Sequence, residues 1–304
     1  MKKFFLWIFG CLCLVIGVAG IILPILPGWF LIFVGLSIVA PRQAIRLKRM
    51  FQRRFSKQET IQLDEWRRRG VKAGFTTRHF KLFLQKTDDL LVPANQEKFK
   101  MLKRGNRFVF LNQVHEDSVL VLDDKKAFEK EGFYHFLRAD GIITNVPDLT
   151  LLIMTADCLP IFFSAPGWVG LVHAGWRGSQ KGISKKAVEL ICEKAGCKAS
   201  KIQVALGPSI SKKYYEVGRE FRDYFPQESL VFAHNKLYFD LAGENKRQLL
   251  EAGITKANIL DTKLCTVGQN KHYFSFRKEK DAAGRIISFI SFVQPRVRKL
   301  KPVS

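Results

Sequence analysis

From Phe4 to Pro41 the chain carries not one charged side chain. That run is far longer than the roughly 7–15 apolar residues of a secretory signal core. A helix of this composition has no polar face to turn to water, so residues 1–41 are expected to lie in a membrane. Pro24, Pro27 and Gly28 break the run, because proline removes a backbone donor and collides with the preceding turn. Phe4–Leu23 supplies 20 residues, enough at about 1.5 Å each to cross a hydrocarbon core of about 30 Å. Trp29–Ala40 supplies only 12, short for a full span. Lys2 and Lys3 precede the run, and Arg42, Arg46, Lys48 and Arg49 open the basic cluster that follows it. Basic flanks stay on the cytoplasmic side. A hairpin keeps both there, at the inner membrane, with the rest of the chain in the cytoplasm.

The stretch "LPILPGWFLIFVGLSIVA" resembles small bacterial membrane-hairpin families built around a Pro-Gly-Trp turn. Residues 42–70 then read as a basic juxtamembrane linker. Ile45, Leu47, Met50, Phe51 and Phe55 among its cations suit either an amphipathic helix on anionic lipid or a solvated connector. Residues 1–72 hold 13 Lys/Arg against 3 Asp/Glu, and the remaining 232 hold 37 against 24. The net charge of +23 is therefore partly local to the linker. It favours anionic partners without choosing among them, and no nucleic-acid partner is expected, because stacking aromatics are few in the basic stretch. The six cysteines form no CxxC pair, which fits a reducing compartment.

After Gly70 short apolar runs alternate with turn residues, which predicts strands. They are "RFVFLNQV", "SVLVL", "LTLLIMTA", "LPIFFSA", "WVGLVHA", "KIQVALG" and "IISFISFV". "SKKAVELICEKAG" predicts a helix capped by Ser184 and stopped by Gly196, and "NKRQLLEAG" a second helix. The expected class is α+β, one sheet system of mainly antiparallel neighbours in a single domain over residues 71–304.

"LPIFFSAPGWVGLVHA" reads as a hairpin. A turn at Ala165-Pro166-Gly167 puts Leu159 opposite His173 and leaves Cys158 one step away, within diagonal reach. A slip of one residue changes which face each takes. His115 sits at a break between two strands in "FVFLNQVHEDSVLVL". Two imidazoles and a thiolate suit Zn²⁺ with an open fourth position, and Cu²⁺ is possible on the same donors. The residues alone also allow a buried structural cysteine, a metal-free cysteine hydrolase using Cys158 with His173 as its base, or a copper oxidase.

"ADGIITNVPDLTLLIMTADCLPIFF", "GLVHAGWRG", "LGPSISKKYYEVG" and "HYFSFRKEKDAAGR" resemble the bacterial family first called multicopper polyphenol oxidases or laccase-like proteins. That family is understood as zinc-dependent purine nucleoside phosphorylases that also deaminate adenosine. The likeness runs over about residues 70–292. It implies layered mixed sheets flanked by helices, and a metal held by His115, Cys158 and His173. It also implies adenosine, inosine or methylthioadenosine together with phosphate as substrates. Departures fall elsewhere: "GFTTRHFKLFLQKTDD" lacks the family's paired glycines, Lys213 and Tyr214 stand where it has cysteines, and its Ser-Tyr-Arg-Arg block is Ser275-Phe276-Arg277-Lys278. Under this reading Arg177 is the first candidate for phosphate, since guanidinium holds phosphate oxygens bidentately. Arg78 and Arg277 follow it. Asp157 is expected to move a proton or to orient a ligand histidine.

Overall fold

The computed structural model describes residues 59–63, 70–80, 82, 84–100, 107–136 and 138–292. The hairpin expected over residues 1–41 lies outside the described residues, as does most of the basic stretch 42–70. Among the described residues no helix is long and apolar enough to cross a membrane.

A compact unit starts at Glu59, twelve residues before the boundary read from the sequence. β1 (Thr60–Gln62) pairs antiparallel with β2 (Val71–Thr76), so part of the stretch read as linker is an edge strand. The reason is local: Ile61 and Leu63 alternate with polar residues and turn inward.

The chain then lays down β3 (Arg107–Leu111), β4 (Val119–Leu122), β5 (Gly132–Phe136) and β6 (Gly141–Thr144). β7 (Leu149–Thr155), β8 (Leu159–Ala165), β9 (Trp168–Ala174) and β10 (Gln203–Leu206) form the centre. β11 (Glu216–Val217), β12 (Leu230–Ala233), β13 (Lys236–Phe239), β14 (Ile259–Asp261) and β15 (Ile286–Phe292) complete the strands. Helices among the described residues are α1 (Pro93–Lys100), α2 (Trp176–Gln180), α3 (Ile183–Ala195), α4 (Phe221–Tyr224), α5 (Leu241–Glu251) and α6 (Phe276–Glu279).

Instead of one sheet system there are two six-stranded sheets and a small third. Their orders are β1-β2-β15-β7-β3-β5, β14-β10-β8-β9-β6-β4 and β11-β13-β12. Most pairings are antiparallel as expected, while β3 runs parallel to both β5 and β7, β4 to β6, and β10 to β14. Strand alternation explains the layering. Leu149, Leu151 and Ile153 of β7 meet Phe162 of β8 and Leu171 of β9 between the two large sheets. The residues between them, Leu152 and Met154, face the other way against Phe99, Phe108 and Phe289. Leu159, Ile161 and Phe163 pack under α3 and α5. The central runs are apolar on both faces because both faces are covered.

Two local expectations are corrected. The β8–β9 turn is Pro166-Gly167 alone, with Gly167 at φ 73 and Ala165 paired to Trp168. Proline followed by a left-handed glycine closes a turn in two residues, so Ala165 stays in the strand and the register moves by one. Pro160, not Leu159, faces His173. Ser184 does not cap α3. Gly182 does, at φ 77, and Ser184 lies buried inside the first turn, donating to Asn245 Oδ1 at 2.6 Å. Gly196 ends the helix at φ 59, as expected.

Candidate metal centre

At one end the chain crosses from one large sheet to the other after β3, β5 and β7. The crossing from β3 to β4 carries the metal-ligand candidate His115 and that from β7 to β8 carries Cys158, while Asp140 lies in the crossing from β5 to β6. The corrected register makes the third candidate, His173, meet the other two. Continued past Leu159, it sets Cys158 opposite Gly175. His173, two residues from Gly175, then shares its face, whereas the three-residue turn put the two on opposite faces. That face is the one Leu171 turns toward the gap between the sheets.

The ligand atoms of His115, Cys158 and His173 lie within 4.8 Å of one another, and the two rings meet edge to face at 4.7 Å. Donors around a tetrahedral zinc stand about 3.5 Å apart, so the three need to draw in only slightly. Gly175 leaves the room. A Cβ there would sit 3.2 Å from both Cys158 Sγ and His115 Cδ2 and 3.8 Å from His173 Cε1. The donor set and the space fit a borderline-soft divalent ion.

Asp140 organises the cluster. Its Oδ1 lies 2.7 Å from His173 Nδ1, which leaves Nε2 as the free ligand atom. The same carboxylate accepts the backbone N–H groups of Val114 (3.1 Å), His115 (2.9 Å) and Glu116 (2.8 Å). His115 takes φ 60, a conformation most side chains avoid, and these three bonds hold it there. Burial alone would raise the Asp140 carboxyl; His173 and the N–H groups outweigh it and hold it below the usual range. Burial would likewise raise the Cys158 thiol, but the histidines bring it down to about 6. Burial lowers His173, and the Cys158 thiolate and Asp140 lift it to about 9. A thiolate at neutral pH is the form that binds metal.

The donors open onto a cleft of about 460 Å³ that Lys86, Thr155, Phe276 and Arg285 also line. Thr155 Oγ1 is buried with no hydrogen-bond partner among the described residues. Gln113 is not free for a ligand: its side-chain amide donates to Met154 O and accepts from Met154 N, extending the ladder where β3 ends. A smaller cavity of about 140 Å³ shares Ala156, Cys158 and Phe276 with this cleft and is also lined by Asp157, Tyr215 and Arg277.

The other residues singled out in the sequence are dispersed. Asp157, at φ 94, accepts from Thr266 Oγ1 at 2.5 Å and from the Arg277 N–H at 2.6 Å. The carboxylate that orients a ligand histidine is Asp140's. Arg277 donates to Glu216 O and sits 5.2 Å over the Tyr215 ring. Arg78 binds both Glu279 oxygens, at 2.8 and 2.7 Å, and the carbonyls of Asn270 and Tyr273. Arg177 is exposed, stacked 4.3 Å over Trp176, and lines neither cavity. The arginine on the cleft wall is Arg285, at the end of the "HYFSFRKEKDAAGR" block. Its signal was its place just before an apolar strand. Asp140 opens "ADGIIT" in the same way.

Residues 3–53 match a family described as putative transmembrane protein (PGPGW). A purine nucleoside phosphorylase of Aquifex aeolicus is 35% identical over 178 residues, 59% of this chain and 80% of that protein. Adenosine deaminase RL5, from an unknown prokaryotic organism, is 32% identical over 213 residues, 67% of this chain and 75% of its own. The crystal structure of YlmD from Geobacillus stearothermophilus aligns with a TM-score of 0.66 at 29% identity, covering 74% of this chain and 93% of that one. With residues 66–293 matching its model, the chain belongs to the family described as multi-copper polyphenol oxidoreductase laccase.

Proposed function

We propose that this chain is a purine nucleoside phosphorylase that holds zinc on His115, Cys158 and His173 and deaminates adenosine as a side activity. The observation that carries the reading is three metal donors sharing one cleft wall with two cations, Lys86 and Arg285. Relatives named purine nucleoside phosphorylase and adenosine deaminase support it. Residues 1–41 would hold the enzyme at the cytoplasmic face of the membrane, a reading that the likeness of residues 3–53 to a putative transmembrane protein supports.

In phosphorolysis a phosphate oxygen bonds to the ribose C1′ while the glycosidic C–N bond breaks. Its electron pair leaves with the base, which takes a proton. Arg285 and Lys86 bind and orient the phosphate, the guanidinium through paired N–H donors. Thr155 Oγ1 supplies a hydroxyl that no group among the described residues engages. Tyr215 lines the smaller cavity; burial, then the negative charges of Cys158 and Asp157, keep its phenol protonated and able to donate. Asp157 holds the loop that carries Arg277 and Phe276. When bound, the ion supplies Lewis acidity, which hydrolytic removal of an exocyclic amine draws on.

The test uses the full chain purified in mild detergent without chelator, beside Cys158→Ala. Mass spectrometry reads the metal, and chromatography follows adenosine with and without phosphate. About one zinc per chain and phosphate-dependent adenine, both lost in the variant, is the expected result. Inosine alone would leave a deaminase, and copper with phenol oxidation an oxidoreductase. A second reading has one observation behind it: the lowered Cys158 thiol beside His173 suits a metal-free cysteine hydrolase. Absence of metal and of both products would bring it forward.

A further inference from the structure

Phe276 stands out on the cleft wall. It is 46% exposed, borders both the large cleft and the small cavity, and has no aromatic partner among the described residues. Its neighbours differ: Tyr273 packs edge-on against Phe75, and Phe274 lies under Arg78. The backbone that carries Phe276 is fixed on both sides. Arg277 N–H donates to Asp157 Oδ2 at 2.6 Å, and Ser275 N–H donates to Glu279 Oε2 at 3.0 Å. Glu279 is in turn gripped by Arg78. An open aromatic face on an immobilised backbone is preorganised for a flat ligand, because little conformational freedom is lost when the ligand lands.

The surroundings narrow the ligand. Around this ring the cleft is mixed in character, with Lys86 and Arg285 as cations beside one anion, Asp88, and with Thr155, whose buried hydroxyl has no hydrogen-bond partner among the described residues. A ligand matching that wall has hydrogen-bonding edges, an anionic end and one apolar face. Heterocyclic bases have that distribution, since their edges are polar and their faces are π surfaces.

We infer that Phe276 is the base-stacking platform of the site. A purine ring lies on its face, and the sugar and phosphate run toward Thr155, Lys86 and Arg285. The inference rests on the nucleoside reading above. Phe276 acts as a specificity-determining residue that binds the base. It neither ligates the ion nor transfers a proton.

The test compares the full chain in detergent with Phe276→Ala, Phe276→Leu and Phe276→Trp, all at wild-type metal content. Base–aromatic stacking contributes enough for a loss of roughly five- to hundredfold on truncation. Phe276→Ala is expected to raise KM for adenosine at least about fivefold, with KM for phosphate and zinc content unchanged. Leu should restore little and Trp most of the loss. Unchanged adenosine KM in Phe276→Ala, or full rescue by Leu, overturns stacking and leaves the phosphorylase reading standing. If the wild type turns over no nucleoside, that reading fails by itself, and calorimetric titration with adenosine takes over. Weaker binding to the Ala variant than to the wild type then supports the platform. Equal binding, or none to either protein, overturns it.

Discussion

Between β3 and β4 the residue in the left-handed conformation is itself a candidate metal donor, His115 at φ 60; between β7 and β8 it is Asp157, one residue before the candidate donor Cys158, at φ 94. Each such backbone costs on the order of 1–3 kcal/mol, and each is held by a carboxylate. The first is held from outside. Asp140, 25 residues away from His115, accepts three consecutive N–H groups of that crossing and the ring of His173. The second is held from within, because Asp157's own side chain reaches Thr266 and Arg277. One carboxylate therefore ties two candidate metal donors to each other. The other ties the neighbour of a third to the loop that carries Phe276. Loss of the first should damage the metal site, and loss of the second the substrate site.

The largest effect is expected for Asp140→Ala. It removes four hydrogen bonds at once, frees the His173 ring to turn, and leaves His115 without support for its backbone. Outer-shell partners of metal-bound histidines are worth about 10–100-fold in affinity. Here the same group also holds a second ligand, so a loss at or beyond the top of that range is expected in a chelator competition. Breaking a buried charged pair costs about 3–5 kcal/mol, readable by denaturant unfolding. Asp140→Asn, which keeps one acceptor oxygen, should fall between. Wild-type metal affinity in Asp140→Ala would remove the basis of the comparison.

How far the sequence foretold this follows from the same two crossings. The three candidate donors were legible because each lies near the end of an apolar run, and apolar runs record strands through burial. The hairpin was legible apart from one residue. Ala165-Pro166-Gly167 closes as a turn of two or of three, and only the pairing of Ala165 with Trp168 decides. Asp140 was not legible. Its contacts to His115 and His173 span 25 and 33 residues, and an aspartate before glycine reads as a turn residue. Arg285 carried one mark only, its place just before β15. The layering of the sheets came from the family resemblance and not from the strand runs, because runs apolar on both faces do not reveal which layer covers which face. The third sheet was hidden by its length, with β11 only two residues long.

Asp157→Asn should separate the crossings. Its loss weakens the grip on Thr266 and Arg277, and hydrogen bonds to a charged group contribute about 1.5–3 kcal/mol. Metal affinity is expected to stay within about threefold of wild type. Adenosine KM should rise several-fold, because the Phe276 loop is held less firmly. Metal loss as large as in Asp140→Ala would mean that the two crossings are not distinct.

Arg78→Met tests the second anchor of that loop and adds a pH signature. Burial would raise the Glu279 carboxyl; the Arg78 guanidinium outweighs it and holds the group below its ordinary 4.5. A carboxyl lowered on folding stabilises the protein above the unfolded value. The gain is lost as pH falls through the folded value. The wild type should therefore exceed Arg78→Met in Tm at pH 7, and the gap should narrow progressively below about pH 4.5. A gap constant down to pH 3 would show that Arg78 acts through its packing on Phe274 and not through its charge.

The smallest effect is expected where the first crossing has its most visible ion pair. Lys181 meets Glu116, the residue after His115, but the two side chains are 46% and 45% exposed. Water and salt screen such pairs, and holding two long side chains together costs entropy. Glu116 is fixed by other means: its N–H binds Asp140, and its carbonyl lies where a Cβ on Gly178 would come within 2.7 Å. Lys181→Met should leave metal affinity within about twofold at 0.15 M salt. Gly178→Ala, which pushes on the same carbonyl from the α2 side, should lower it by more. If Lys181→Met proved the more damaging, the first crossing would be held electrostatically from its surface, and Asp140 would share its role with an exposed lysine.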